Sequence, residues 1–419
     1  MRRHVFFVAG YHPMTTQEHV RVFERELRRF AGVWSVDAHC QPPQPTPTGA
    51  SWDLAVTGAN WRTETTFEVL AWDDLARADM DRSLWSHLKG QARAVVDMIT
   101  SGTLARYFRA SRRYGLFFLF TYLLLAALWL GAAAIGTSIA ALASPPLTGV
   151  GSWLTGIGAT LIAGLALMRW PGRKFHLKQS LDLAEFSVDF AHDRHPEVDE
   201  RVRAFARRIA AVAQQGEKQG DVDEIVLAGH SLGAMHLISA LAHILDTDPA
   251  FGTRVPVRLL TLGSTTAKFA LHPAGLRLRQ AAEKVARAPA IGWLEIQSRD
   301  DMVSFYKVSP VTLGPAEIID HNTRPGDYGA RPLVRHAAIR DMISAETYHR
   351  FRFDVFRLHC QCFLAGDKRA HHDFYAYVCG PVPFDALAAE TGGLVAFVDS
   401  LGQLVRYAAD LRRPSSSNP

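Results

Sequence analysis

Two long uncharged apolar stretches constrain this chain more than any other feature of its sequence. Residues 116–143 form a run of 28 residues and residues 147–168 a run of 22, and neither run contains Asp, Glu, Lys or Arg. At a rise of about 1.5 Å per residue, each run exceeds the roughly 20 residues that a helix needs to cross a hydrocarbon core. The intervening Ser144-Pro145-Pro146 is typical of a helix end, since proline disrupts a helix interior. The sequence therefore predicts a transmembrane helical hairpin, with spans at about 116–143 and 147–168, and not a pair of buried core helices.

Basic residues flank both outer ends of this predicted hairpin and are absent from its turn. They are Arg106, Arg109, Arg112, Arg113, Arg169, Arg173, Lys174 and Lys178. The whole chain carries a formal net charge of +5, but outside these eight residues acidic side chains outnumber basic ones. The basic excess thus indicates a membrane surface as partner and no nucleic acid. By the positive-inside rule, we expect a two-span membrane protein with its soluble domain and both termini in the cytoplasm.

The predicted hairpin divides one soluble domain into two parts along the chain. These parts are residues 1–110 and 176–411, with the hairpin region at 111–175 and a disordered tail at 412–419. Strand-like runs occur at residues 4–9, 33–38, 52–57, 65–72, 224–228, 257–262 and 293–297, and helical patterns at 15–30, 196–215, 232–245 and from residue 83 onward. This alternation predicts an α/β fold with a mostly parallel sheet flanked by helices. Four cysteines in 419 residues form no disulfide framework, which favours a reducing compartment.

The sequence Gly229-His230-Ser231-Leu232-Gly233 is the motif that carries chemistry. It matches the pattern G-x-S-x-G, with an apolar strand entering it and an apolar helix leaving it. In that setting Gly229 and Gly233 avoid collisions at a tight turn, and the N–H of Leu232 points at developing negative charge. We therefore expect Ser231 to be a nucleophile.

This strand–turn–helix resembles the nucleophile elbow of the α/β-hydrolase superfamily, especially of lipases and esterases whose elbow reads GHSLG. Residues 260–264 (LTLGS) look like the strand that follows the elbow helix in class 3-type lipases, and residues 298–303 (SRDDMV) look like the superfamily's acid turn. The resemblance implies an α/β-hydrolase fold and a triad in the order Ser, acid, His. It places the acid at Asp301, with Asp300 as the alternative.

A serine hydroxyl needs a base, and the resemblance implies a histidine after the acid. The candidates are His321, His336, His349, His359, His371 and His372. Apolar and polar residues alternate over 356–362, which predicts a strand that contains His359 and carries Cys360 and Cys362 on one face. Because the base should lie in the loop after the last strand, His372 is the first choice, with His371 and His359 as alternatives.

A second oxyanion donor is expected in the loop after an early strand. The strand-like run at 4–9 ends at Gly10, where the backbone can approach a substrate closely, so the N–H of Tyr11 is predicted to act with that of Leu232. The chain has no Walker A loop, no GxGxxG and no CxxC pair, and we expect neither a cofactor nor a metal.

Together these features predict a membrane-anchored serine hydrolase, esterase- or lipase-like, that cleaves an ester or related acyl bond. The expected partners are the lipid bilayer and a small-molecule or lipid ester substrate. Acyl transfer to an acceptor other than water would use the same residues. The alternative hypothesis is a non-catalytic α/β-hydrolase-like membrane scaffold that binds a lipid or a protein partner.

Overall fold

The computed structural model describes residues 1–144, 149–318 and 332–406, and within them nine strands form one sheet. The strands are β1 (Arg2–Val8), β2 (Asp37–Cys40), β3 (Gln44–Thr46), β4 (Gly49–Thr57), β5 (Arg62–Leu70), β6 (Glu224–His230), β7 (Val257–Leu262), β8 (Ile291–Gln297) and β9 (Leu333–His336). Their order is β2-β4-β5-β1-β6-β7-β8-β9, with β3 paired to β4. Every neighbouring pair from β5 to β9 is parallel, whereas the pairs that involve β4 are antiparallel. The expected α/β fold with a mostly parallel sheet is confirmed.

Helices fill most of the remaining described chain. They are α1 (Thr16–Trp34), α2 (Asp73–Met80), α3 (Leu84–Thr100), α4 (Thr103–Ala110), α5 (Arg112–Ala143), α6 (Gly149–Arg169), α7 (Pro171–Lys174), α8 (Leu177–Ala191), α9 (Pro196–Gln219), α10 (Leu232–Thr247), α11 (Thr266–Ala270), α12 (Leu276–Arg287), α13 (Ile339–Met342), α14 (Ala345–Phe351), α15 (Val355–Cys360), α16 (Phe374–Cys379) and α17 (Phe384–Ala389). Short 3₁₀ helices span Gln361–Phe363 and Gly393–Ala396. The predicted start of α1 is confirmed, because the Thr15 hydroxyl and the Glu18 carboxylate form a capping box.

Both faces of the sheet are covered. On one face, Val5 and Phe7 of β1 belong to a buried core cluster with residues of α1, α15, α16 and α17. On the other face, α10 contacts β1, β6 and β7, and α12 contacts β8. Since successive side chains of a strand point to opposite faces, the fully buried apolar strands β1 and β6 fit this two-sided burial.

Two predicted strands are wrong in position or type. The strand predicted at residues 33–38 is displaced, because α1 continues to Trp34 and β2 begins only at Asp37. In the second, residues 356–362 form helix α15 and a 3₁₀ turn instead of a strand. The carboxylate of Asp354 accepts a hydrogen bond from the N–H of Arg357 at 2.9 Å and so caps α15. This cap and the surrounding core outweigh a short alternating pattern, and they place His359 on a helix.

The chain forms two compact units. One comprises Met1–Asp81 with Asp189–Pro419 and contains the whole sheet. The other comprises Arg82–Val188, which includes the predicted hairpin region and extends beyond it on both sides.

In the described part of the chain, two helices are long and apolar enough to cross a membrane. They are α5 and the segment Gly149–Lys174, and only 17% of the most apolar window of each is buried. The two helices pack through small residues: a Cβ at Gly136 would lie 1.9 Å from Thr160 Oγ1, and one at Gly156 would lie 2.7 Å from Ala140 Cβ. The predicted turn at Pro145-Pro146 and the predicted tail at 412–419 lie outside the described residues.

Candidate active site

The parallel register of the sheet brings the loop after β1 to the residue after β6. Val8 of β1 pairs with Gly229 of β6, so Gly10 and Ser231 each lie two residues beyond a matched pair. On the other side, the N–H of Ser231 donates to the carbonyl oxygen of Leu262, the last residue of β7, at 2.9 Å. Ser231 is thus positioned at the carboxyl edge of the sheet, between the ends of β1 and β7, the two strands that pair with β6.

Ser231 forms the sharp turn between β6 and α10, and the predicted strand–turn–helix is confirmed. Its φ of 54° and ψ of −116° are rare for a residue with a side chain, and such a backbone costs about 1–3 kcal/mol. A Cβ at Gly229 would lie 2.6 Å from the Cα of Ala234, and one at Gly233 would lie 2.1 Å from the carbonyl oxygen of Val8. Both positions therefore require glycine, Gly229 for α10 to start this close to β6 and Gly233 for α10 to start this close to β1.

The loop after β1 lies against the serine side chain. A Cβ at Gly10 would lie 2.8 Å from Ser231 Cβ and 3.3 Å from Ser231 Oγ. This loop is fixed from two sides, since Trp72 Nε1 donates to the carbonyl oxygen of the residue before Gly10 at 2.9 Å, and the Tyr11 hydroxyl donates to Asp79 at 2.5 Å. The backbone of Gly10 therefore lies next to the Ser231 side chain.

A buried histidine and a buried carboxylate form a second element of the site. His359 Nδ1 lies 2.7 Å from Asp301 Oδ2. A carboxylate only accepts hydrogen bonds, so Nδ1 carries a proton, and in the neutral ring Nε2 presents the lone pair. The buried Nε2 atom has no hydrogen-bond partner in the described part of the chain. This histidine is held in the tautomer that a general base needs.

The Asp301 carboxylate is also held by its own turn. Its Oδ1 accepts the N–H groups of Val303 at 2.8 Å and Ser304 at 3.3 Å, and its Oδ2 accepts the Ser304 hydroxyl at 2.6 Å. Burial alone would raise the pKa of Asp301, but the adjacent His359 and these hydrogen bonds outweigh burial and lower the pKa below its ordinary value. Asp301 is therefore ionised at neutral pH.

The His359 ring lies against His230 and Gly263, two residues close to the Ser231 turn. The His230 ring lies 4.6 Å from the His359 ring between centroids, and His230 Nε2 donates to the His359 carbonyl oxygen at 3.3 Å. Gly263, which follows Leu262 at the end of β7, has a φ of 53°, and a Cβ there would lie 3.2 Å from His359 Cε1 and 3.0 Å from Asp301 Oδ2. The imidazole and the carboxylate thus occupy space that only a glycine leaves open beside the serine turn.

The other residues predicted from the sequence lie in different surroundings. His372 Nε2 donates to the carbonyl oxygen of Cys362 at 2.8 Å, and burial lowers the pKa of His372 to about 3. His371 Nε2 donates to the carbonyl oxygen of His336 at 3.0 Å. Asp300 accepts a hydrogen bond from the Tyr348 hydroxyl at 3.3 Å.

The structure therefore brings His359, which the sequence offered as an alternative, to Asp301, and it does not bring the first choice, His372, to that carboxylate. The reason is the helix at 355–360, which turns the His359 side chain towards the acid turn, whereas the His372 ring is directed at the backbone of residue 362. His321, another sequence candidate, lies outside the described residues.

Sequence reasoning missed two residues that shape the site. Ser304 supports Asp301, and the spacing Asp-x-x-Ser is a local signal, since an aspartate often accepts hydrogen bonds from the backbone two and three residues ahead. Gly263 makes room for His359. No local signal in the sequence indicates this role, because the side chain that needs the space belongs to a residue almost a hundred positions away.

Comparison of this chain with protein-family models, with curated proteins and with solved structures gave no match in any of the three.

Proposed function

We propose that this chain is a serine hydrolase of the α/β-hydrolase type that cleaves an ester or related acyl bond. Ser231 is the nucleophile, His359 the general base and Asp301 the residue that orients the base. The observation that carries the proposal is the His359–Asp301 hydrogen bond of 2.7 Å. It is joined by a buried Nε2 atom with no hydrogen-bond partner among the described residues, on a ring that lies against His230, the residue before a serine in a strained strand-to-helix turn. A buried imidazole nitrogen without a partner is costly, so its retention close to the serine turn favours a role in proton transfer.

The proposed reaction uses each of these groups in turn. Ser231 Oγ attacks the acyl carbonyl carbon while His359 Nε2 takes the hydroxyl proton, and Asp301 stabilises the imidazolium that forms. The oxyanion accepts hydrogen bonds from the N–H of Leu232, which as the first residue of α10 has no intrahelical partner, and from the N–H of Tyr11. His359 then gives the proton to the leaving alcohol, and water releases the acyl group by the same steps in reverse.

Access to the site needs movement of the side chains around it. The exposed fractions of Ser231, His359 and Asp301 are 6%, 4% and 2%. This low exposure of the three side chains is the observation that favours the second candidate function, a non-catalytic membrane scaffold. A covalent probe separates the two candidates, because it reacts only if a substrate-sized molecule reaches an activated serine.

The membrane part of the proposal is an anchor of two spans, α5 and α6, with the soluble domain and both termini in the cytoplasm. The apolar length of the two helices and the basic residues at their outer ends support it. Anchoring raises the local concentration of substrates in the membrane, which favours a lipid ester or an acylated molecule as substrate. Carbonate extraction should leave the protein in the membrane pellet, and its release would contradict the anchor.

The experiment is labelling of the full-length protein in membranes with a fluorophosphonate probe, which modifies activated serines. The wild type should be labelled and Ser231→Ala should not. His359→Ala and His372→Ala form a matched pair, since both histidines are buried and both lie in the same part of the chain. We expect His359→Ala to lose labelling and His372→Ala, if its thermal transition shows that it is folded, to keep it.

Each outcome has a clear meaning. Absence of labelling in folded wild type would overturn the hydrolase proposal and favour the scaffold. Labelling that survives His359→Ala but not His372→Ala would show that the base is assigned to the wrong residue.

A further inference from the structure

Helix α3 exposes a continuous apolar stripe to the surroundings of the protein. Trp85, Leu88, Val96 and Ile99 are between 54% and 65% exposed, and the exposed Ala92 completes their spacing. Positions three, four and seven residues apart share one face of a helix. These five residues, which we call the α3 stripe, therefore form one apolar face of four turns.

The opposite face of α3 is the one that packs within its own compact unit. Gly90, Ala94 and Met98 are buried and recur every four residues. A Cβ at Gly90 would lie 1.6 Å from Glu185 Oε1, so this face fits closely against α8. The helix is thus held by one face, and its apolar side remains uncovered.

Basic side chains border the α3 stripe. Lys89 and Arg93 are exposed and follow one edge of it, one turn apart. The Lys89 ammonium lies 5.1 Å from the centroid of the Trp85 ring, so charge and aromatic surface are adjacent. An apolar face with Trp at one end and Lys or Arg along its edge is typical of helices that lie in a membrane interface.

The α3 stripe belongs to the same compact unit as the two apolar helices. Only Ser101 and Gly102 separate α3 from α4, and only Ser111 separates α4 from α5. Within this unit α3 packs against α4 and α4 against α5, where the rings of Tyr107 and Tyr114 are 5.2 Å apart. The basic residues Arg106 and Arg109 of α4 lie on this connection. The stripe therefore lies near the end of α5 at which the chain would enter a bilayer.

We propose that α3 lies in the plane of the membrane, with the α3 stripe in the headgroup–acyl boundary of the leaflet at the amino-terminal end of α5 and with a preference for anionic lipids. This proposal rests on the proposed membrane anchor and is independent of the proposed reaction. Helices of this kind bury their apolar face about 5–10 Å into the headgroup–acyl boundary. Each basic residue near an anionic surface raises local binding by about fivefold.

The test measures the depth of single fluorescent labels on the full-length protein in vesicles. A nitrobenzoxadiazole label is attached to Leu88→Cys in the α3 stripe, to Leu123→Cys in the amino-terminal half of the apolar part of α5 and to Gln214→Cys on the exposed side of α9. Background labelling of the native cysteines is measured on the wild type. Quenching by brominated phosphatidylcholine then reports the depth of each label.

We expect strong quenching at position 123, shallower but clear quenching at position 88 and none at position 214. Quenching at 123 without quenching at 88 would overturn the proposal for α3 while leaving the anchor intact. Absence of quenching at both positions would show that the anchor itself has failed, so the two failures are distinguishable. A second copy of the chain or another protein that covers the stripe would give blue-shifted emission at 88 without quenching, which would also overturn it.

The lipid preference has its own test. At equal mole fraction, brominated phosphatidylserine should quench the label at position 88 more than brominated phosphatidylcholine does. The Lys89→Gln/Arg93→Gln variant should remove this difference without abolishing the quenching. Equal quenching by both lipids in the otherwise unmodified protein would overturn the anionic preference.

Discussion

Replacing Asp301 with asparagine keeps the size of this side chain but changes the atom that faces His359. In the protein, Oδ1 accepts the N–H groups of Val303 and Ser304, and Oδ2 accepts His359 Nδ1–H at 2.7 Å. The amide oxygen of asparagine can take the place of Oδ1, which leaves its NH₂ group facing His359. An NH₂ group donates, so Nδ1 has to become the acceptor and the ring proton moves to Nε2.

The expected loss of activity is large because this tautomer has no lone pair at Nε2. A triad with the wrong histidine tautomer loses about 10⁴-fold in kcat. At about 1.36 kcal/mol per tenfold, this loss corresponds to roughly 5.5 kcal/mol of transition-state stabilisation. The fold should lose less, since a hydrogen bond to a charged group contributes about 1.5–3 kcal/mol and the two backbone bonds persist.

The assay compares the rate of fluorophosphonate labelling and the hydrolysis of a small p-nitrophenyl ester in wild type and Asp301→Asn. Asp300→Asn is the matched control, because its carboxylate lies on the same turn but contacts Tyr348 at 3.3 Å and Arg340 at 3.6 Å. We expect the control to stay within about tenfold of the wild type, a change of less than 1.4 kcal/mol. A folded Asp301→Asn protein that stays within the same tenfold would refute the assignment of Asp301 and His359.

Two further substitutions test the site and the sheet. Gly10→Ala places a methyl group 2.8 Å from Ser231 Cβ and should displace the loop after β1, which is proposed to bind the oxyanion. We expect the labelling rate to fall about 10²-fold while the thermal transition stays intact. Full activity would contradict the proposed role of this loop. The second substitution is at Glu295 in β8. Burial raises the pKa of Glu295 from 4.5 to about 8, so the stability that the protonated side chain contributes is present at low pH and is lost as the pH rises through about 8. Glu295→Gln keeps an acceptor for the Thr261 hydroxyl and should remove this loss, so that its melting temperature falls less than that of the wild type between about pH 6 and pH 9; equal slopes would show that Glu295 does not titrate in this range.

Much of the site's local geometry could be read from the sequence because it depends on neighbours along the chain. The strand before Ser231, the helix after it and the glycines at 229 and 233 form one continuous segment. The proximity of Gly10 to Ser231 needed one more step, the parallel pairing of β1 with β6, which follows from the type of fold. The acid turn was also local, since Asp301 is held by residues two and three positions ahead.

The choice among histidines could not be made in this way. The alternating residues 356–362 predicted a strand, and that error moved the expected base from His359 to His372. The cap by Asp354 and the packing of Leu358 and Cys362 in the core decide that this segment is helical, and a pattern of seven residues does not contain that information.

Local composition and periodicity were enough to predict two apolar helices of membrane-spanning length, the mostly parallel α/β sheet and the serine turn with its glycines. The packing of the folded chain sets which imidazole meets Asp301, which glycine leaves space for this imidazole and which face of α3 is exposed. Each of these depends on contacts between segments far apart in the chain, such as His359 with Asp301 and Gly90 with Glu185. Such contacts are selected by how whole elements pack, because a close-packed interior admits one arrangement of side chains at a given place and excludes the alternatives that the chain order leaves open.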